Sequence, residues 1–258
     1  MNTVRTQWRG SARLGIGWGA FKGRSGDNAA HAHHAIQVLL AESPQALWTP
    51  MAGWQSYRGV VIGHNQQHQL APTSEDVVLV YLDPDSDAGR RVRMLLADGF
   101  TVLSDEQTNR ARTAVNASED RRFDRLLVEA IQPTPDADAD ADADADASMQ
   151  SADPVIAALL AALPAAIPDS LPAARLAREA GLSTSRFLHR FSAYAGLPLR
   201  PYLRWRRLLT AMAGVMRGDP LTDAALAAGF ADVAHFNRTV RRHFGITPGV
   251  LLRLNDRA

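Results

Sequence analysis

The chain has 258 residues, of which 46% are hydrophobic, and it contains no cysteine. This length indicates one large domain or two small ones, and the missing thiols exclude a disulfide framework, a thiolate zinc site and a cysteine nucleophile. Residues 1–152 carry 14 basic and 20 acidic side chains, a net charge of −6, whereas residues 153–258 carry 14 and 7, a net charge of +7. A basic half beside an acidic half predicts that the second half meets a polyanion.

No apolar segment of the sequence predicts a membrane location. The first residues lack the apolar core of a secretory signal. The longest apolar run, residues 155–166, is interrupted by Pro164 and is too short to cross a bilayer. We therefore expect a cytoplasmic protein without membrane contact.

The first part of the chain has the pattern of a sheet followed by helices. Short β-branched apolar runs at 35–41, 59–63 and 76–82 are separated by turn-forming residues, which predicts a small antiparallel sheet or barrel. Helical spacing then follows at 89–100 and 118–132. In the second of these the residues on one stripe are Phe123, Leu126, Leu127 and Ile131. We expect these helices to pack on the sheet or on a second copy of the chain.

The segment PTPDADADADADADAS, from Pro133 to Ser148, contains six aspartates that alternate with alanine. Like charges repel one another and alanine has little surface to bury, so residues 133–152 are predicted to be an extended, disordered linker. An acidic contact with a partner is the alternative interpretation. The linker divides the chain into a first domain, 1–132, and a second domain, 153–258.

The second domain contains a repeated unit. The segment SRFLHRFSAYAG (185–196) recurs 49 residues later as AHFNRTVRRHFG (234–245), and each copy follows an alanine-rich helix and a glycine. Ser183 and Asp232 are predicted to cap the second helix of each pair. A helix, a glycine turn and a capped helix are typical of a helix-turn-helix unit, and residues 197–218 predict one long helix between the two units.

The second helix of each unit has an apolar side and a polar side. At about 100° per residue, the inner positions are Phe187, Phe191, Tyr194, Phe236, Val240 and His243, and the outer ones are Ser185, Leu188, His189, Ser192, Ala234, Asn237, Arg238 and Arg241. Such an outer face enters the major groove of DNA, where hydrogen-bonding and methyl groups read base edges. We expect Arg238 to bond guanine and Asn237 to bond adenine. The candidates for phosphate contact are Arg200, Arg204, Arg206, Arg207 and Arg241; the alternative is a solvated face.

Residues 170–254 resemble the DNA-binding domain of the AraC/XylS family of bacterial transcription regulators. The matching segments are LAREAGLSTSRFLHRF (176–191), YLRWRRLLTAM (202–212) and LTDAALAAGFADVAHFNRTVRRHFGITP (221–248). The resemblance implies a sequence-specific regulator that is not an enzyme, with promoter DNA as its partner. It also implies RNA polymerase as the partner of an activator, a small-molecule effector, and pairing of two copies as one arrangement. It places base reading on Ser185, Leu188, His189, Ala234, His235, Asn237 and Arg238. This chain departs from the family at His189, Arg190 and Val240, where arginine, a large apolar residue and phenylalanine are usual.

The segments HAHHAIQ (31–37) and HNQQHQL (64–70) resemble cupin-like sensor domains. Cupins hold a metal with two histidines and a glutamate on one strand and a later histidine on another. Here the resemblance places His31, His33 and His68 at the imidazole positions and Gln37 at the glutamate's. We predict an α+β multidomain protein with a cupin-like first domain and no cofactor. A cupin-type metalloprotein or metalloenzyme with an attached DNA-binding domain is the alternative, whereas a DNA-repair alkyl transferase is excluded because it needs a cysteine.

Overall fold

The computed structural model describes residues 6–15, 17–96, 98–117, 123–133, 153–163, 167 and 171–255. Residues 134–152 of the predicted linker lie outside the described residues. Within the described part the strands are β1 (Arg9–Gly15), β2 (Trp18–Arg24), β3 (Ile36–Thr49), β4 (Gly53–Ile62), β5 (Gln69–Leu70), β6 (Val77–Leu82) and β7 (Phe100–Val102).

The strands form one antiparallel sheet in the order β1-β2-β6-β3-β4-β7, with β5 pairing to β3. The long strand β3 lies in the middle, and Ile36 at its start pairs with Leu82 at the end of β6. Both faces of its first half are buried: Val38 packs on one side and Leu39 on the other. Burial on both faces explains why this strand reads as a continuous apolar run rather than an alternating one.

Three helices cover one face of the sheet: α1 (Asp87–Arg93), α2 (Asp105–Ala117) and α3 (Phe123–Ile131). The predicted inner stripe of α3 is wrong at Leu126, which is 39% exposed, because Val128 points into the core in its place. The predicted helix over 89–100 is also wrong in its extent. It ends at Arg93, and the chain turns at Gly99, where φ is +80°, to begin β7.

The C-terminal part is helical, with α4 (Pro154–Ala161), α5 (Ala173–Glu179), α6 (Thr184–Ala195), α7 (Leu199–Met216), α8 (Leu221–Ala227), α9 (Val233–Phe244) and α10 (Pro248–Asn255). The single long helix predicted over 197–218 is therefore confirmed as α7. No helix in the described part of the chain is both long and apolar enough to span a membrane.

The sheet and the C-terminal helices share buried contacts. Val250 and Leu254 of α10 pack in the same apolar cluster as Leu39 and Leu47 of β3. Ala35, just before β3, packs among residues of α7, α8 and α9. The second face of the sheet is thus covered by the C-terminal helices.

Candidate functional site

Each helix-turn-helix unit is built by the same local features. In the first unit α5 is followed by Gly181, whose φ is +65°, and in the second unit α8 is followed by Gly229, whose φ is +86°. Glycine adopts this left-handed conformation without the steric cost that a Cβ brings. The predicted caps are confirmed: the Ser183 hydroxyl accepts a hydrogen bond from the Arg186 amide at 3.4 Å. The Asp232 carboxylate accepts one from the His235 amide at 2.6 Å.

The connecting helix α7 contributes to the core of both units. Tyr202 packs against Phe191 with ring centroids 5.2 Å apart, in the cluster that also buries Phe187. One turn further along, Trp205 lies in the cluster that buries Phe236 and Val240. Because one continuous helix belongs to both cores, the two units are held in a fixed relative orientation.

The outer faces of α6 and α9 remain exposed, as the sequence predicts. The predicted base-reading residues that are exposed are Ser185, Leu188, His189, Ala234, His235 and Arg238, while Asn237 is half-buried. The inner residues Phe187, Phe191, Phe236 and Val240 are fully buried. Each helix therefore offers one polar face to a partner while its apolar face holds the unit together.

The predicted phosphate-contacting arginines fall into two groups. Arg200, Arg204 and Arg241 are exposed. Arg206 and Arg207 are half-buried and bonded within the protein: Arg206 donates to the Tyr202 hydroxyl at 3.2 Å, and Arg207 Nε donates to the carbonyl of Ile167 at 3.1 Å. These bonds give the latter two a structural role in fixing α7.

Three arginines of α6 and α9 were assigned no role from the sequence. Arg186 on α6 and Arg242 on α9 are exposed and add positive charge next to the predicted readers. Arg190 makes a two-pronged ion pair with Asp153, at 2.5 and 2.6 Å, and the same carboxylate caps α4. The guanidinium beside Asp153 lowers the pKa of that carboxyl. The signal in the sequence was Arg190 itself, a charged residue at a position where the AraC/XylS family usually has an apolar one.

Comparisons with known proteins agree with this geometry. Residues 176–253 match a family model described as a helix-turn-helix domain. The virulence regulon transcriptional activator VirF of Yersinia enterocolitica is 33% identical over 76 residues, which cover 29% of this chain and 28% of VirF. The C-terminal part of this chain is an AraC-type helix-turn-helix domain. The chain thus matches just over a quarter of the length of this curated relative.

Two solved structures share the architecture of the whole chain, including the sheet that precedes the AraC-type domain. Apo ToxT from Vibrio cholerae superposes with a TM-score of 0.57 at 12% identity, covering 95% of this chain and 99% of ToxT. Unsaturated-fatty-acid-bound ToxT gives a TM-score of 0.55 at 12% identity, covering 96% and 97%. At this identity the likeness establishes the fold.

A cavity of about 150 Å³ lies between the sheet and the AraC-type domain. Strands β1 and β2 form one wall with Trp18 and Phe21, and the other wall consists of Trp205 on α7, Phe244 on α9 and Leu254 on α10. The lining is mainly apolar, and Arg13, Tyr81 and Asp83 add polar atoms to it. No signal in the sequence predicts this cavity, because its walls come from distant segments.

The structure brings together the three histidines that the sequence singles out. His31 and His68 exchange two backbone hydrogen bonds, at 3.0 and 2.9 Å, and the His33 ring lies 5.1 Å from the His68 ring. All three are buried, and one ring nitrogen of each lies within 4.8 Å of the others. The Phe244 ring of the AraC-type domain lies 5.7 Å from the His33 ring, so this histidine cluster adjoins the end of α9.

The hydrogen bonds of the histidine cluster fix where the ring protons lie. Each Nδ1 meets a backbone carbonyl, of Ala29, Ala35 and Gln66 respectively, at 2.8 to 2.9 Å. A carbonyl only accepts, so each Nδ1 carries the hydrogen and each neutral ring directs a lone pair from Nε2. Burial lowers the pKa of His31 to about 4 and lowers the pKa of His33 and His68 as well, which keeps the rings neutral.

Proposed function

We propose that this protein is a sequence-specific transcription regulator that reads promoter DNA with α6 and α9. The supporting observation is the pair of capped helix-turn-helix units that share α7 and leave both outer faces exposed. Helices arranged in this way enter successive stretches of the major groove. Such a role requires no catalysis and places the protein with the DNA in the cytoplasm. If it activates transcription it also contacts RNA polymerase, and pairing of two copies is one working arrangement.

Contacts with bases and contacts with phosphates can be tested separately, because different residues make them. Arg238 is exposed on α9 and suits a bidentate bond with guanine, which contributes about 1–3 kcal/mol of discrimination. Arg204 is exposed on α7 and suits phosphate, a contact that carries no sequence information. The half-buried Asn237 is proposed to read adenine, and Ser185, Leu188, His189, Ala234 and His235 are proposed to complete the two reading surfaces.

The test compares three arginine variants of the full-length protein by fluorescence anisotropy on native upstream DNA and on a shuffled sequence. Arg238→Ala should lose affinity for native DNA only, by about 10- to 100-fold, and relax the preference at one base pair. Arg204→Ala should weaken binding to both DNAs and reduce the salt slope by about 0.9. Arg125→Ala, which removes an exposed arginine from α3, is the control and should change neither. Equal losses on both DNAs for Arg238→Ala would contradict its reading role.

We further propose that the effector is a small apolar molecule bound in the cavity between the sheet and the AraC-type domain. A mainly apolar cavity of about 150 Å³ is large enough for a molecule of the size of benzene. A longer chain needs the two walls to separate, which would move α7 and α9 together. ToxT, which shares the fold, has been solved with an unsaturated fatty acid bound. Binding in this cavity is therefore coupled to the position of the reading helices.

The effector proposal is tested with a thermal-shift panel of benzene-sized aromatics and of fatty acids. A ligand that fills the cavity should raise the melting temperature of the native protein and change its affinity for DNA. Ala213→Leu fills part of the cavity from α7 and should abolish both responses while the protein still binds DNA. Ala193→Leu, a substitution at an exposed position of α6, is the control for the added side chain. A response that survives Ala213→Leu would place the ligand elsewhere.

The histidine cluster supports a second candidate function, metal binding by the sheet domain. The Nε2 atoms of His33 and His68 lie 3.0 and 3.1 Å from the amide oxygen of Gln37. Because both Nδ1 atoms carry the ring hydrogen, the lone pair of each Nε2 faces the lone pairs of the Gln37 amide oxygen. Either the amide turns to donate its two hydrogens, or a cation lies between the groups. Three imidazoles and an amide oxygen suit Zn, Fe or Ni.

Metal analysis of the purified full-length protein decides between these two arrangements. With a metal, His68→Gln should reduce the bound metal by one equivalent, while His235→Gln, at an exposed position, should not. If the native protein holds no metal and none is taken up at this site, Gln37 donates to both histidines and the metalloprotein alternative fails.

A further inference from the structure

A second polar cluster lies beside His34, the residue that follows His33 of the histidine cluster. Strand β3 starts where β6 ends, since Ile36 pairs with Leu82. This register places His34, just before β3, beside Asp83 and Asp85, just after β6. One ring nitrogen of His34 and one carboxylate oxygen of each aspartate lie within 4.8 Å of one another. His33 and His34 are adjacent, but they face different groups: His33 meets Phe244, and His34 meets Tyr202 and Trp205.

The cluster has unsatisfied hydrogen-bonding groups. His34 is 2% exposed, and neither of its ring nitrogens has a hydrogen-bond partner among the described residues. Both carboxylate oxygens of Asp85 are buried and are likewise without a partner in this part of the chain. The Tyr202 hydroxyl approaches that carboxylate without reaching hydrogen-bonding geometry. Buried polar groups without a partner are rare in proteins, and a bound ion is one of the arrangements that satisfies them.

The neighbouring arginines do not supply the missing partner. Arg90 donates to the Tyr194 hydroxyl, to the carboxylate of Asp87 and to the backbone carbonyl of Asp85, which leaves the Asp85 side chain unpaired. Arg206 donates to Tyr202. No ion pair within 4 Å joins an arginine to either aspartate of the cluster in the described part of the chain. The neutral His34 ring therefore faces two carboxylates of half-buried aspartates without a cation in contact. Asp83 Oδ1 accepts a hydrogen bond from the Asp85 amide at 3.3 Å, whereas the Asp85 carboxylate oxygens are themselves buried and unpaired in the described part of the chain.

We propose that His34, Asp83 and Asp85 bind a divalent transition-metal ion beneath helix α7. One nitrogen and two oxygen ligands suit borderline ions such as Mn²⁺, Fe²⁺ or Zn²⁺. Metal–ligand bonds of about 2.0–2.2 Å require ligand atoms about 3–4.4 Å apart, so small side-chain rotations close the observed spacing. The ion satisfies the carboxylates and the imidazole together, which a single water cannot do for two charges.

The position of this site gives the ion a defined effect on the molecule. All three ligands belong to the sheet domain, and the site is covered by Tyr202 and Trp205 of α7, whose rings lie 6.2 and 5.8 Å from the His34 ring. Helix α7 also joins the cores of both helix-turn-helix units. Bound metal therefore stabilises the packing of the sheet against the AraC-type domain. Metal binding at this site does not require that the protein bind DNA.

The test uses the full-length protein, freed of metal with a chelator and then titrated with Mn²⁺ and with Zn²⁺. Metal per chain is measured by mass spectrometry and affinity by calorimetry. Asp85→Asn keeps the shape of the side chain and should weaken binding at this site by about 100-fold or more, since even changes outside the ligands cost 10- to 100-fold. Asp87→Asn, an exposed carboxylate two residues away, should bind like the native protein.

Melting temperatures provide a second readout, because the order of the native protein and Asp85→Asn should reverse when metal is added. Without metal, Asp85→Asn should melt above the native protein, because it removes an unpaired buried carboxylate. With metal at about 100 times its dissociation constant, the native protein should gain roughly 5–10 °C and the variant should not. His68→Gln alters only the three-histidine site, so this variant should still gain the same stabilisation from metal bound at His34, Asp83 and Asp85. Equal metal content and equal shifts for native protein and Asp85→Asn would overturn the proposal and leave a water or a proton in the cluster.

Discussion

Acidifying the metal-free protein from pH 7 to pH 5 is expected to destabilise it by several kcal/mol. Burial lowers the pKa of His31 to about 4, of His34 to about 3 and of His243 to about 4, and it is the largest cause for each. In the unfolded chain these rings titrate near pH 6.5. Their stabilisation is therefore complete above pH 6.5 and is lost as the pH falls towards 4, because the unfolded state takes up the protons first.

The magnitude follows from these values. At pH 5 each of the three rings costs about 2 kcal/mol relative to pH 7, or about 6 kcal/mol together. Asp85 acts in the opposite direction. Burial and then Asp83 raise the pKa of its carboxyl to about 7, so protonation between pH 7 and pH 5 returns about 2 kcal/mol to the folded state. From these four groups together the loss is about 4 kcal/mol, a large part of the 5–15 kcal/mol typical of a folded domain.

Urea unfolding followed by tryptophan fluorescence, in chelator at pH 7, 6 and 5, measures this loss. His243→Gln removes one titrating ring and should reduce the pH dependence by about 2 kcal/mol. His189→Gln, which removes a solvent-exposed imidazole from α6, is the matched control. A free energy of unfolding that is unchanged or larger at pH 5 would refute the conclusion that these histidines are buried and neutral.

Two further predictions concern backbone positions. Gly245→Ala should destabilise the protein two to three times as much as Gly181→Ala in thermal unfolding, although both have φ near +65°. A Cβ at Gly245 would lie 2.4 Å from the Ala29 carbonyl oxygen, whereas one at Gly181 meets nothing within 4 Å and costs only the left-handed strain of about 1–2 kcal/mol. Equal losses would show that the contact between Gly245 and Ala29 contributes nothing. Asp232→Ala should cost about 1 kcal/mol and more than Ser183→Ala, since its cap bond is 2.6 Å against 3.4 Å; the reverse order in urea unfolding would contradict this.

The helical part was predictable from the sequence because its signals are local. The glycine turns, the caps at Ser183 and Asp232 and the periodic apolar residues each lie within a few positions of the structure that they determine. The connecting helix was predicted for the same reason. Leu126 was misplaced because α3 packs on a sheet whose position the helical period alone does not fix.

The sheet domain was predicted less completely because its contacts are distant in sequence. Strands β1 and β2 contain many glycines and few β-branched residues, so their propensity is weak, and their pairing with β6 supplies the missing stabilisation. Helix α2 has a polar sequence that does not show an apolar stripe. The cavity and the cluster of His34, Asp83 and Asp85 depend on the register of β3 with β6, which the sequence pattern does not specify.

The most direct test of the central claim is binding of the full-length protein to its own upstream intergenic DNA and to a shuffled copy across a salt series. A regulator with two reading helices should bind the native DNA about 10³-fold or more tightly, and this preference should persist as salt removes the phosphate contribution. Footprinting should then show two protected half-sites about one helical turn apart. Equal, salt-sensitive binding to both DNAs, with and without candidate effectors, would contradict sequence-specific regulation through α6 and α9.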